Sequence, residues 1–352
     1  MSFACATIST PVAAVYDTVR EAELTHTLNE PECVGIFTNA RFLATLTPII
    51  KDVPVVRLVV YDGEAKSALL DQIRGVRENV VVISIDELRE IGRMQPIDIL
   101  DARKPTPDDV ALIMYTNNGT GAPKGVVLTH GNIVASLGGA YTLLGHHLHP
   151  DDAFLAYLPL AHILEYVMEL TGFTCGMKTG YGRLETLMDA SVRNCKGDIV
   201  AFRPTIFIGM AEVWETIRKG ILAKVNASGT LKKALFNGAM AVMKAGVPGL
   251  ADVADAVVLS GVRAATGGRL RLAFTGGAEL RRETQEFLSV ALVTLLQGWC
   301  LSSFIHVQGV ENCSLLVDGT LCLVCRAAAG ADAIWCCGAA YALHRDQVGR
   351  YP

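Results

Sequence analysis

The densest set of groups suited to chemistry on an anion runs from Tyr115 to Gly125: Tyr-Thr-Asn-Asn-Gly-Thr-Gly-Ala-Pro-Lys-Gly. Glycines let backbone N–H groups approach oxygens with no Cβ in the way. Thr116 and Thr120 add hydroxyl donors, and Lys124 adds a positive charge. That combination suits a phosphate group. The same composition also describes a surface turn with a proline in it. Lys124 lies between Pro123 and Gly125, so this is not a Walker A loop, whose lysine lies between Gly and Ser/Thr.

Such a loop acts only if rigid elements hold its ends. The apolar run Val110–Met114 before it reads as a buried strand, and Val126–Thr129 after it continues the apolar character. Upstream, strands are expected over 6–15, 33–38, 55–61 and 80–84. Helices are expected over 18–28 and 65–78, and from Ile85 to about Met94. Arg103–Asp109, with two prolines, reads as a linker. Downstream, helices are expected over 132–144, 163–170, 212–225, 231–245 and 283–289. Strands are expected over 154–158, 205–208, 269–274 and 292–296. On 212–225 the apolar anchors are Val213, Ile217 and Leu222. Strands alternating with helices predict an α/β fold, with parallel βαβ sheets and helices on both faces.

The chain has 352 residues, 51% hydrophobic and 19% charged, with a net charge of −4. Its apolar character fits strands covered on both faces. The charge gives no electrostatic reason to expect nucleic acid. No uninterrupted apolar run reaches spanning length, and the N-terminus lacks the pattern of a signal peptide. Ten cysteines are present, six of them after residue 299. Cys322 and Cys325 are spaced C-x-x-C and Cys336 adjoins Cys337, but the spacing fits no standard zinc site. His146, His147 and His149 read as a solvated loop and not as metal ligands. No metal site is expected from them.

Further stretches follow the loop in a fixed order. They are Pro159-Leu160-Ala161-His162-Ile163-Leu164-Glu165, then Val213-Trp214-Glu215, then Gly267-Gly268-Arg269-Leu270-Arg271 leading to Thr275-Gly276-Gly277-Ala278. Together with the loop, this set resembles the AMP-forming acyl-CoA synthetases, specifically the long-chain fatty acyl-CoA synthetase branch. The resemblance covers about residues 6–298. It implies the large domain of the adenylate-forming fold, here partial. Residues 1–298 would be an AMP-binding domain and 299–352 an unmatched tail rich in Cys, Ala and Gly. No Thr-Gly-Asp ribose motif and no C-terminal small domain with a catalytic lysine is found, so the chain reads as truncated at both ends.

The resemblance implies a ligase that activates a fatty acid with ATP and Mg²⁺, through an acyl-adenylate, to its coenzyme A thioester. Its partners would be fatty acid, ATP and coenzyme A, and its place the cytoplasm or the cytosolic face of membranes such as the endoplasmic reticulum. Residue by residue, it implies that Thr116, Thr120, Gly121 and Lys124 hold the phosphates. Gly276, Gly277, Ala278, Gln297, Gly298, Trp299 and Ser302 would contact the nucleotide. Thr116, Lys124 and His162 would be catalytic, and His162 and Trp214 would face the acyl group. His162 also reads as a core-packed residue at a helix start, Trp214 as a core anchor, and Gly276–Ala278 as a tight turn. Two departures bear on competence. Asn117, Asn118 and Gly119 replace Ser, Gly and a hydroxyl residue of the pattern. Ser303 stands where the family has its Mg²⁺-binding glutamate, and a neutral hydroxyl is a poorer magnesium ligand. A nucleotide- or acyl-binding protein without turnover, or an inactive remnant, is the alternative.

Overall fold

The computed structural model describes residues 1–16, 19–115, 123–245, 249–276, 278–300, 323–326 and 335–337. These form two compact units, 1–133 and 134–352.

The first unit holds strands β1 (Val12–Ala14), β2 (Gly35–Asn39), β3 (Leu58–Asp62), β4 (Val81–Ser84), β5 (Val110–Tyr115) and β6 (Gly125–Thr129). β2, β3 and β4 form a parallel sheet. Its core is Leu43, Ile50, Val53, Val56, Val59 and Ile73, all 0% exposed. β1 pairs parallel and β6 antiparallel with β5 in a second sheet.

Local chemistry explains several boundaries. Ser84 caps the helix Ile85–Arg93: its Oγ accepts from the Glu87 amide at 3.1 Å, and Glu87 accepts from the Ser84 amide at 2.6 Å. The Ser84 backbone and hydroxyl bonds hold the Glu87 carboxyl below its ordinary pKa. The third strand begins at Leu58, three residues later than the sequence predicts. Arg77 takes the carbonyls of Ile50, Val53 and Val56 at 3.3, 2.8 and 3.1 Å, and that of Pro54 as well. Carbonyls occupied by a guanidinium are not available to a ladder. The strand expected over 6–15 shrinks to β1, because the Ala-rich Ser2–Thr7 forms a helical turn.

The second unit is built on one sheet of seven strands. They are β7 (Ala153–Ala156), β8 (Lys178–Tyr181), β9 (Ile206–Gly209), β10 (Leu272–Thr275), β11 (Leu295–Cys300), β12 (Leu323–Arg326) and β13 (Trp335–Cys337). The order is β8-β7-β9-β10-β11-β12-β13. The first five run parallel and the last two antiparallel. β7 and β9 are buried at every residue, as apolar runs without alternation require of central parallel strands.

Helix Ile163–Thr174 connects β7 to β8 at one edge, whereas β9 leads through Ala211–Ala227 toward β10 on the other side. Right-handed crossovers running in opposite directions put these helices on opposite faces. Chain direction therefore reverses between β7 and β9, and ligands of open parallel sheets bind at the carboxyl ends beside such a reversal.

The helix Ala211–Ala227 buries Val213, Trp214, Ile217 and Ile221. Ile221 takes the place expected of Leu222, since Trp214 shifts the buried stripe by one residue. Lys178–Tyr181 and Asp198–Phe202 had no prediction: both are short and mixed in polarity. Helical turns over 250–264 also went unpredicted. Among the described residues, no helix is long and apolar enough to cross a membrane.

Candidate active site

The phosphate-type loop begins and ends on a two-stranded frame. Tyr115 pairs with Gly125 across β5 and β6, so Lys124 is the first residue outside the ladder. A Cβ on Gly125 would sit 3.0 Å from Ile113 Cγ2 and 3.2 Å from the Tyr115 ring, which accounts for the glycine there. One helix end ties both stems. The Tyr115 hydroxyl donates to Glu30 Oε2 at 2.7 Å, and His26 Nε2 donates to the Pro123 carbonyl at 3.2 Å. Burial first, then the Glu30 carboxylate, push the Tyr115 hydroxyl pKa up strongly. Lys124 itself is exposed. Thr116, Thr120 and Gly121, with Asn117, Asn118 and Gly119, lie outside the described residues.

Tyr115→Phe removes the Glu30 contact alone. Glu30 is half exposed, so the expected loss is about 1 kcal/mol of stability, read as a lower urea midpoint. A midpoint unchanged from wild type would show that the stem does not depend on this bond.

In the second unit, the carboxyl ends of four adjacent parallel strands gather most of the remaining residues. Gly209 of β9 pairs with Thr275 of β10, and Thr275 pairs with Gln297 of β11. Gly276 is buried immediately after β10, Ala278 is exposed, and Gln297 is 8% exposed. Thr275 is 1% exposed, and its hydroxyl has no hydrogen-bond partner among the described residues. A buried orphan hydroxyl beside Gly276 fits a site whose polar partner is a ligand. Gly298 and Trp299 continue β11, with only their backbone described. Gly277, Ser302 and Ser303 lie outside the described residues. Also among the described residues, no three His, Cys, Asp or Glu side chains gather to hold a metal.

Trp214 is fully buried. Its Nε1 donates to the carbonyls of Gly209 at 3.0 Å and Phe274 at 3.1 Å, fastening the ends of β9 and β10. Its ring meets Phe207 edge-on, and Phe207 stacks on Tyr157. A Cβ on Gly209 would lie 2.7 Å from Trp214 Nε1, so only glycine fits. The indole therefore packs beneath the strand ends as a core anchor.

Beside it, Glu215 accepts from Arg281 Nε at 3.0 Å and Thr284 Oγ1 at 2.7 Å. The Arg281 bond is the main reason its carboxyl lies below the ordinary range. These contacts tie Arg281 and Thr284, which follow Ala278, to the helix Ala211–Ala227. A cleft of about 300 Å³ between them is lined by Glu215, Lys219, Glu279 and Arg281, among others.

His162 ends the turn that leaves β7 and caps the helix Ile163–Thr174. Its Nδ1 accepts from the Leu164 amide at 3.2 Å. An accepting Nδ1 carries no proton, so the ring's N–H is at Nε2. Burial holds the imidazole pKa below its ordinary value. His162 is thus a neutral donor near neutral pH. Three residues on, Glu165 is 1% exposed, and burial together with Glu169 lifts its pKa to about 8. Glu165 lies within the Pro159–Glu165 motif, and the sequence alone assigns it no role. A carboxylate three residues after a capping His, inside an apolar helix start, was the available signal. Tyr157 and Gly209 were missed, because their importance comes from cross-strand packing.

A family profile described as AMP-binding enzyme matches residues 1–309. Long-chain-fatty-acid–CoA ligase 2 of Schizosaccharomyces pombe is 38% identical over 310 residues, covering 86% of this chain and 44% of that protein. Long-chain-fatty-acid–CoA ligase 4 of Saccharomyces cerevisiae is 37% identical over 330 residues, covering 89% and 46%. The chain thus spans about half the length of the curated relatives it matches. Among solved structures, the adenylation domain of a Mycobacterium chelonae carboxylate reductase aligns with a TM-score of 0.65 at 20% identity, covering 83% of this chain and 43% of that one. The adenylation domain of a Segniliparus rugosus carboxylic acid reductase, solved with AMP and a carboxylic acid, aligns at 0.60 and 18%, covering 85% and 46%. Those likenesses carry the fold. With the profile match over most of its length, the chain belongs to the AMP-binding enzyme family.

Proposed function

We propose that this chain forms the nucleotide- and acyl-handling part of a long-chain fatty acid–CoA ligase. In the first step a fatty acid carboxylate oxygen attacks the α-phosphorus of ATP. A P–O bond forms, the bond to the bridging oxygen of pyrophosphate breaks, and acyl-adenylate results. In the second, the coenzyme A thiolate attacks the acyl carbon and AMP leaves. Catalysis of this kind rests on positioning and charge neutralisation. In this reading Thr116, Thr120, Gly121 and Lys124 hold the departing phosphates. Gly276–Ala278, Gln297, Gly298, Trp299 and Ser302 line the nucleotide, and His162 offers its Nε2 proton at the acyl end. Trp214 shapes the site from beneath. The cytosolic face of a membrane, where long-chain fatty acids partition, belongs to the same reading.

The observation that carries it is the orphan Thr275 hydroxyl beside Gly276, at the carboxyl ends of the parallel strands. A second reading, binding without turnover, is favoured by Ser303 in place of the metal-binding glutamate. Calorimetry of ATP binding, with and without Mg²⁺, tests the first reading. Lys124→Ala should weaken ATP binding about 10-fold or more, the size of a lost charge-assisted contact. Equal affinity in the variant would remove Lys124 from the site. Adenylate formation with palmitate then separates turnover from binding alone.

A further inference from the structure

The carboxyl of Glu165 is an anomaly. It is buried on the first turn of the helix Ile163–Thr174, and neither oxygen has a regular hydrogen-bond partner among the described residues. Buried polar groups are normally satisfied, and an exception calls for a role. The Tyr157 backbone amide, at the end of β7, is turned toward it without closing a well-formed bond. The Tyr157 hydroxyl is likewise buried and unpartnered. The amide of Tyr157 and the charge that acts on its hydroxyl thus both lead to one carboxyl. That carboxyl and His162 stand three residues apart, on the turn that joins β7 to the helix.

We propose that Glu165 is the positioning residue for His162: it reaches from the helix's first turn back to Tyr157 and closes the turn 157–162. A capping-box glutamate at this position normally returns to the capping residue's own amide. Here that amide is taken, since His162 donates its N–H to the Pro159 carbonyl at 2.9 Å. Glu165 is free to reach past it to the strand. In the acid form its carbonyl oxygen remains an acceptor for the Tyr157 amide. The groups facing it are Glu169 on its own helix, Tyr157 from β7 and Tyr181 from β8. The Tyr181 hydroxyl donates to Glu169 at 2.7 Å. None of these is a cation, so ionising Glu165 sets a charge against Glu169 in apolar surroundings and loosens the turn. Burial and Glu169 place that ionisation at about 8.

The inference rests on the proposed role of His162, but its test does not need activity. Histidine ring ¹⁵N signals of the full chain, with His162 assigned through His162→Gln, report tautomer and titration directly. In wild type His162 should show the Nε2-protonated tautomer at neutral pH, and its signal should move again with a midpoint near 8 as Glu165 ionises. Glu165→Gln should keep the tautomer and lose the upper transition. Glu165→Leu should mix the tautomers and return the His162 pKa toward the ordinary imidazole value. If Glu165→Leu does not fold, the comparison of wild type with Glu165→Gln decides alone. A His162 signal that is flat through pH 8 in wild type, or an unaltered tautomer in a folded Glu165→Leu, overturns the proposal. Loss of ATP binding with the His162 signals as expected would defeat the functional reading and leave the positioning role standing.

Discussion

Trp214→Ala should destabilise the second unit by about 4 kcal/mol or more, the upper part of the range for truncating a buried aromatic. The indole is fully buried, and two strand-end carbonyls take its single N–H. Truncation opens a cavity under Phe207 and deprives the Gly209 and Phe274 carbonyls of a shared donor. Gly209 makes the loss harder to absorb, because it has no side chain to fill the space. Trp214→Phe separates the two contributions: it keeps an aromatic ring and loses the N–H, at an expected cost of about 1–2 kcal/mol. Urea unfolding of the three proteins is the measurement. An alanine variant within about 1 kcal/mol of wild type, well below the usual range, would mean the strand ends are held by something else.

The second large effect lies at the opposite, amino ends of the strands. Asp152 is 3% exposed. It accepts from the His149 amide at 2.8 Å, Thr205 Oγ1 at 2.6 Å and Arg271 Nε at 2.8 Å, with a second bond from Arg271 Nη2. Thr205 Oγ1 in turn accepts from the Ala153 amide at 2.9 Å. One carboxylate thus fixes the starts of β7, β9 and β10. Asp152→Asn keeps the shape and removes the charge. Breaking a buried pair this way costs about 3–5 kcal/mol, and roughly 2–3 kcal/mol here because the Arg271 side chain is 38% exposed and water compensates it.

The effect has a pH signature. Burial opposes ionisation of Asp152, but the bonds from Arg271, Thr205 and His149 outweigh it and hold the pKa below 3.8. A depressed carboxylate pKa contributes stability that is present above the unfolded-state value and lost as pH falls through the folded one. The gap between wild type and Asp152→Asn should therefore be full near neutral pH, begin to narrow at about pH 4, where the unfolded carboxylate titrates, and close only as pH falls through the lower folded-state value. A gap that persists unchanged in acid would assign the cost to packing.

Much of the candidate site is proposed from residues that stand in order along the chain. The Tyr115–Gly125 stretch, His162, Trp214, Gly276 and Gln297 stood out because each breaks a local apolar pattern with a group suited to anions, capping or close approach. The roles inside those stretches were less legible. Trp214 reads most simply as a core anchor, with tunnel lining as the sharper alternative, and its two carbonyl contacts, on residues 5 and 60 positions away, show it packed as an anchor. Glu165 belongs to a recognisable motif, yet its raised pKa depends on burial and on Glu169 one helical turn away.

By itself, the sequence determined the alternation of strands and helices and the mainly parallel character of the sheets. Those follow from hydrophobic period and from turn chemistry, which act over a few residues. Only the tertiary structure decided that β7 and β9 are neighbours and that chain direction reverses between them. It also decided that Asp152 meets Arg271 across 119 positions, and that Arg77 consumes the carbonyls where a strand was expected to begin. Strand order and the partners of a buried charge are settled by which surfaces can be covered together, and no local pattern encodes that.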